Sequence, residues 1–198
     1  MKRLPIGILG SGKGSNCRAI LESIRSGDLA AEARVVISDM LDAPILEIAR
    51  EFSVANAYLP PGQFRSRLEP QAEEELVRML RDAGVHLVVL AGFMRVLHAP
   101  MLRAFPHGII NIHPSLLPKY PGLEAWKQAL RAGETVTGCT VHYIDEKVDH
   151  GQIIARREVA ILPDDTAESL HARIQTAEHE LYPLAIAEFC EKYAPPNL

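Results

Sequence analysis

Ile6-Gly-Ile-Leu-Gly-Ser-Gly-Lys-Gly-Ser-Asn16 is a short apolar strand that breaks at once into a glycine-rich loop. Behind it, Cys17, Ile20, Leu21 and Ile24 recur at i, i+3, i+4 and i+7, the spacing of one buried helix face, and Ser26-Gly27 stops the run. Strand, glycine loop and helix together make a phosphate cradle. Glycines let backbone N–H groups approach an anion, and the helix start adds partial positive charge. Gly7 to Gly12-Lys13 has Walker A spacing, but Gly14 stands where a Ser or Thr should meet magnesium. Gly10-x-Gly12 opens a dinucleotide fingerprint, but Ser15 takes the place of the third glycine. Ser15 and Asn16 offer instead short polar side chains suited to a phosphate monoester, or they simply cap the helix.

The same alternation continues outward. Residues 34–38 read as a second strand, 44–51 as a helix, 55–59 as a short strand, 70–83 as a helix ended by Gly84, 87–91 as a fully buried strand and 100–105 as a short helix. Strands alternating with helices predict an α/β fold, a mostly parallel central sheet with helices on both faces. Toward the end, 137–144 and 152–155 read as a C-terminal antiparallel hairpin across a polar turn. A last helix starts near Asp165 and Glu168, which have capping-box spacing; Leu170, Ile174, Ala177 and Leu181 form its buried stripe. Pro183 is expected to kink that helix, and Pro195-Pro196 to end the ordered chain.

The 198 residues are 47% hydrophobic and suffice for one well-buried core. A net charge of −4 argues against a sequence-independent grip on nucleic acid. Cys17, Cys139 and Cys190 are odd in number and far apart, which points to a reducing compartment. No apolar stretch approaches membrane-spanning length, and the charged start runs directly into a strand, so a cytoplasmic protein is expected. His171 and His179 stand eight apart and His179-Glu180 lacks a zinc-protease partner; no metal is expected.

The stretch Gly108-Ile-Ile-Asn-Ile-His-Pro-Ser-Leu-Leu-Pro-Lys-Tyr-Pro-Gly122 carries the chemistry. Ile109, Ile110 and Ile112 have the character of a buried strand, interrupted by Asn111 and His113. Residues at i and i+2 share one strand face, so both can reach one carbonyl carbon. An Asn N–H suits a developing oxyanion, and a neighbouring His can hold or move a proton. Such a pair is equally the mark of a core amide and a core histidine satisfied by backbone partners. Pro114 ends the strand, and Pro118, Pro121 and Gly122 stiffen the loop beyond it.

Asn111-Ile-His113-Pro-Ser-Leu-Leu-Pro118, with Lys-Tyr-Pro-Gly122 behind it, resembles the signature of the folate-dependent formyltransferases, and matching motifs appear in order from Ile6 to about Pro183. The resemblance implies one Rossmann-like formyltransferase domain over residues 1–198, its N-terminal half binding phosphate and its C-terminal half binding folate and carrying catalysis. It implies transfer of a formyl group from the co-substrate 10-formyltetrahydrofolate to the amine of 5-phosphoribosylglycinamide, without a metal, by a monomer or homodimer acting on small molecules. Asn111 and His113 would be catalytic. Asp149, in Asp149-x-Gly151 before an apolar strand, would favour protonated His113 and orient it. Gly14, Ser15 and Asn16 would hold the ribose 5-phosphate, and Glu178 within Gln175-Thr-Ala-Glu-His179 would contact the same substrate. Met94, Arg95, Val96 and Leu97 would hold the pteridine, with Arg67 and Asn111 also on the folate. His142 is expected to line the cleft without taking part in chemistry. Some family members carry histidines where this chain has Glu124-Ala-Trp126. Branches of the family that act on tRNA or on water carry extra domains, which these residues do not include, so a small-molecule acceptor is expected.

Overall fold

A computed structural model describes residues 3–193. Its elements, in order, are β1 (Leu4–Leu9), α1 (Ser15–Ser26), β2 (Ala31–Ser38), α2 (Pro44–Glu51), β3 (Asn56–Tyr58), α3 (Pro70–Asp82), β4 (Leu87–Leu90), α4 (Ala99–Ala104), β5 (Ile109–His113), α5 (Ala125–Arg131), β6 (Val136–Tyr143), β7 (Ile153–Ala160) and α6 (Ala167–Tyr193). The strands form one seven-stranded sheet in the order β3-β2-β1-β4-β5-β6-β7. β1 to β5 run parallel, β6 pairs antiparallel with β5, and β7 antiparallel with β6. The expected hairpin is therefore joined to the same sheet.

Alternation along each central strand sorts its side chains onto two faces. Ile6 and Ile8, Leu87 and Val89, and Ile110 and Ile112 enter one buried cluster with residues of α1, α2 and α6. Val88, Leu90 and Ile109 enter the other with residues of α3 and α4. Every side chain of β4 is buried, and at about 1.5–3 kcal/mol per buried aliphatic side chain this strand alone supplies a sizeable driving force before entropy is counted. By the same parity Asn111 and His113 project from the face that carries Ile109. On the opposite face, the fully buried Tyr182 of α6 places its hydroxyl 3.0 Å from the Leu90 carbonyl and 3.2 Å from that of Ile110. It thereby provides a partner where β4 ends beside β5.

One local expectation is corrected. Asp165 and Glu168 do not form the cap of α6: Thr166 Oγ1 accepts from the Ser169 N–H while Ser169 Oγ accepts from the Thr166 N–H, a reciprocal box one residue later. Asp165 instead pairs with Arg173, which together with the Leu162 N–H and Ser169 lowers its carboxyl pKa. Pro183 lies inside α6, which runs from Ala167 to Tyr193. The reading of Pro195-Pro196 lies outside the described residues.

Candidate active site

Gly14 caps α1 at φ 74°, and a Cβ there would lie 2.9 Å from the Cα of Ile45, so both conformation and space call for glycine. No side chain caps the helix. That removes the purely structural reading of Ser15 and Asn16 as caps and leaves Ser15 half-buried at the first turn. Asn16 is turned inward, where its Nδ2 donates to Glu178 Oε2 at 2.9 Å, and its Oδ1 is buried with no partner. Glu178 is 6% exposed, and burial pushes its carboxyl from 4.5 up to about 7 against the opposing hydrogen bond from Asn16. A cleft of about 610 Å³ opens beside this pair, lined by Lys13 and Ser15 from the loop and by Thr176 and His179 from α6.

The second group gathers at the end of β5. His113 is buried, with Nδ1 3.3 Å from Asp149 Oδ2 and Nε2 2.9 Å from the Tyr120 carbonyl oxygen. Both ring nitrogens thus face acceptors, and only the doubly protonated imidazolium donates to both. Asp149 stands in the β6–β7 loop at φ 53° and also accepts from the Gly122 N–H at 2.8 Å. Gly151 lets that loop close: a Cβ there would lie 1.8 Å from the Tyr143 carbonyl oxygen. The loop after β5 is as stiff as its prolines imply, with Thr140 Oγ1 donating to Ser115 O and accepting from Leu117 N, and Ser115 Oγ donating to Lys119 O.

His142 belongs to this cluster more closely than the sequence reading allowed. It is fully buried, opposite Asn111 in the β5–β6 register. Its Nδ1 lies 2.9 Å from the Tyr143 carbonyl, which fixes the proton there and leaves Nε2 as an acceptor for Asn111 Nδ2 at a long 3.4 Å. Burial lowers its pKa and so keeps the ring neutral. Asn111 is thereby oriented with its second amide N–H available. The strand pairing was the missing signal: alternation placed His142 on a polar-leaning face, but the partner across the ladder is not written in the sequence.

A third group forms a slot. Residues 92–97 leave β4 beside residues 64–67, tied by an isolated parallel bridge between Arg67 and Val96 and by the Val96 N–H to Ser66 O at 2.8 Å. The Arg95 side chain is not free: Nε donates to the buried Asp39 at 2.6 Å, and Nη1 to the carbonyls of Phe64 and Arg65. Arg95 braces the slot and offers a ligand only its backbone. Leu97 is buried, whereas Met94 and Phe64 are exposed at 57% and 41%, and the Arg67 guanidinium sits 4.0 Å from the Phe64 ring centroid. Exposed apolar side chains with a cation at the rim fit a flat heteroaromatic ligand bearing an anionic tail. Among the described residues no His, Cys, Asp or Glu cluster suits a metal ion, and no helix is long and apolar enough to cross a membrane.

A glycine loop at a helix start, a carboxylate-backed histidine beside an amide donor, and exposed apolar side chains with a cation at their rim, all on one mostly parallel sheet, fit a group-transfer enzyme of the α/β class. Residues 4–186 match the family model described as formyl transferase, and the chain belongs to that family. It is 38% identical over 186 residues to the phosphoribosylglycinamide formyltransferase of Haemophilus influenzae, covering 94% of this chain and 87% of that protein. It is 46% identical over 187 residues to the trifunctional purine biosynthetic protein adenosine-3 of Drosophila pseudoobscura pseudoobscura, covering 93% of this chain but only 14% of that much longer protein. The crystal structure of glycinamide ribonucleotide transformylase 1 from Symbiobacterium toebii superposes with a TM-score of 0.92 at 46% identity, covering 96% of this chain and 89% of that one.

Proposed function

We propose that this chain transfers the formyl group of 10-formyltetrahydrofolate to the amine of 5-phosphoribosylglycinamide, releasing tetrahydrofolate, as a one-carbon step of purine biosynthesis. The observation that carries the reading is that Asp149, from the β6–β7 loop, meets the Asn111 and His113 pair at the end of β5, in a chain that belongs to the formyl transferase family. All 198 residues act as one domain, as a monomer or homodimer in the cytoplasm. Gly14, Ser15 and Asn16 receive the substrate's phosphate end. Glu178 braces Asn16 from behind. The 64–67 and 92–97 loops hold the pteridine, with Arg67 at the folate's acidic tail.

Bound 10-formyltetrahydrofolate supplies the formyl carbon. Asn111 donates its free amide N–H to the oxygen as the acceptor amine adds to that carbon, and the His113 imidazolium stabilises the same charge. His113 then gives its Nε2 proton, held in the free protein by the Tyr120 carbonyl, to the departing folate nitrogen as the old C–N bond breaks, and the acceptor nitrogen returns a proton to His113, so one C–N bond replaces another with no redox change. Asp149 holds the charged ring in place throughout. Most of the rate comes from positioning and fixed charge, since no side chain forms a covalent bond.

The test is an absorbance assay for tetrahydrofolate formation from 10-formyltetrahydrofolate, run with and without 5-phosphoribosylglycinamide. Product that depends on the glycinamide is the expected result. Product at equal rate without it makes water the acceptor, and a folded, folate-binding protein that makes none overturns the reading.

A further inference from the structure

Trp126, the single tryptophan of the chain, lies in the first turn of α5. Its indole lies flat on the imidazole of His171 in α6, ring centroids 3.8 Å apart and planes 4° from parallel. Burial keeps His171 toward its neutral form, and the Lys13 ammonium opposes charging it as well. The two rings join the segments that carry the two halves of the site. Four residues before Trp126, the Gly122 N–H holds Asp149, and two residues earlier the Tyr120 carbonyl holds His113. Seven residues after His171, about two turns along the same helix face, Glu178 holds Asn16.

The stretch between Pro118 and α5 needs an external hold. Tyr120 and Glu124 both adopt positive φ without being glycine, at 56° and 55°, and Leu123 is 78% exposed. Backbone in that region persists only where surrounding contacts enforce it. Gln128 of α5 donates to the Leu123 carbonyl at 3.0 Å, so the loop follows α5 wherever that helix sits. α5 in turn is pinned to α6 through the ring stack.

We propose that the Trp126–His171 stack is a positioning clasp: it fixes α5 on α6, and through α5 it holds the Tyr120–Gly122 backbone in the geometry that orients His113 and Asp149. The rings act through the loop and touch no reacting atom. The kinetic consequence rests on the proposed formyl transfer; the structural consequence does not.

Two readouts separate these. The first is hydrogen exchange at the Gly122 amide, compared in wild type, Trp126→Phe, Trp126→Ala, His171→Ala and the double alanine variant. Each alanine variant should speed exchange about three- to tenfold, the range of one aromatic pair, while Trp126→Phe stays near wild type. The second is kcat, which should fall by a similar factor with the KM for 10-formyltetrahydrofolate unchanged. The double variant should be no worse than the poorer single one, because either change removes the whole stack. Unchanged Gly122 exchange in Trp126→Ala overturns the clasp, as does a double variant whose loss is the product of the two singles. Should an alanine variant not fold, His171→Phe keeps a stacking ring and is expected to match wild type in both readouts; raised exchange there overturns the clasp. Wild-type protein that shows the exchange pattern but transfers no formyl group refutes the proposed reaction and leaves the clasp standing.

Discussion

Glu178→Gln isolates the buried carboxyl behind the glycine loop. Glu178 is 6% exposed and titrates near 7 rather than 4.5, with burial as the largest cause. A tenfold change in proton affinity corresponds to about 1.4 kcal/mol, so ionising this group in the folded state costs about 3 kcal/mol more than ionising it in the unfolded chain. The pH dependence follows from proton counting. Below pH 4.5 both states hold the proton and stability is fully present; between 4.5 and 7 the unfolded chain releases its proton first, so stability declines; above 7 the whole contribution is lost. Glutamine has nearly the same shape, can still accept from Asn16, and does not titrate. Urea unfolding of both proteins across this range is therefore expected to show curves that meet near pH 4.5 and diverge until the variant leads by about 3 kcal/mol above pH 7. In a chain of this size that difference corresponds to roughly 6–12 °C in Tm. Curves that stay parallel, or a wild type that gains on the variant as pH rises, refute the assignment of a neutral buried acid.

Asp149→Asn keeps an acceptor for the Gly122 N–H but removes the charge facing His113; kcat is expected to fall by about 10²–10³ with little change in substrate KM, read from steady-state kinetics. Gly151→Ala drives a methyl against the Tyr143 carbonyl, so the β6–β7 loop must shift, with about 2–4 kcal/mol lost in thermal unfolding and activity lost alongside. Tyr182→Phe deletes the hydroxyl shared by two buried carbonyls and is expected to destabilise by about 1–3 kcal/mol in denaturant titration, with m unchanged.

The sequence reading was strongest where a local rule acts alone. α2 was bounded at the residues observed, because Pro44 opens it, and the alternation of elements implied the parallel sheet. It was weaker where the outcome depends on a partner distant in the chain. Ser15 and Asn16 read equally as phosphate ligands or as caps, because both are local matters; nothing nearby announces that Asn16 turns inward to meet Glu178. His142 was placed in the cleft but not against Asn111, since register across an antiparallel ladder is a tertiary property. Arg95 was placed on the folate as part of the Met94–Leu97 stretch, and only the fold shows its guanidinium occupied by Asp39 and two carbonyls. The Asn111, His113 and Asp149 grouping came from resemblance to the family; spacing alone left Asp149 as an ordinary turn acid.

The bond between Asn16 and Glu178 spans 162 positions, and that between Tyr182 and Leu90 spans 92. During synthesis the glycine loop emerges from the ribosome well before its brace, which follows 162 positions later. The amino-terminal βα units can collapse early on their own neighbours, yet they lack α6, which supplies both the Glu178 brace and the Tyr182 hydroxyl at the strand ends. Contacts of such long sequence separation slow folding, because they form only once α6 has been made. The pocket is therefore completed only when α6 arrives, and a ribosome stalled before α6 emerges presents a glycine loop with no floor beneath it.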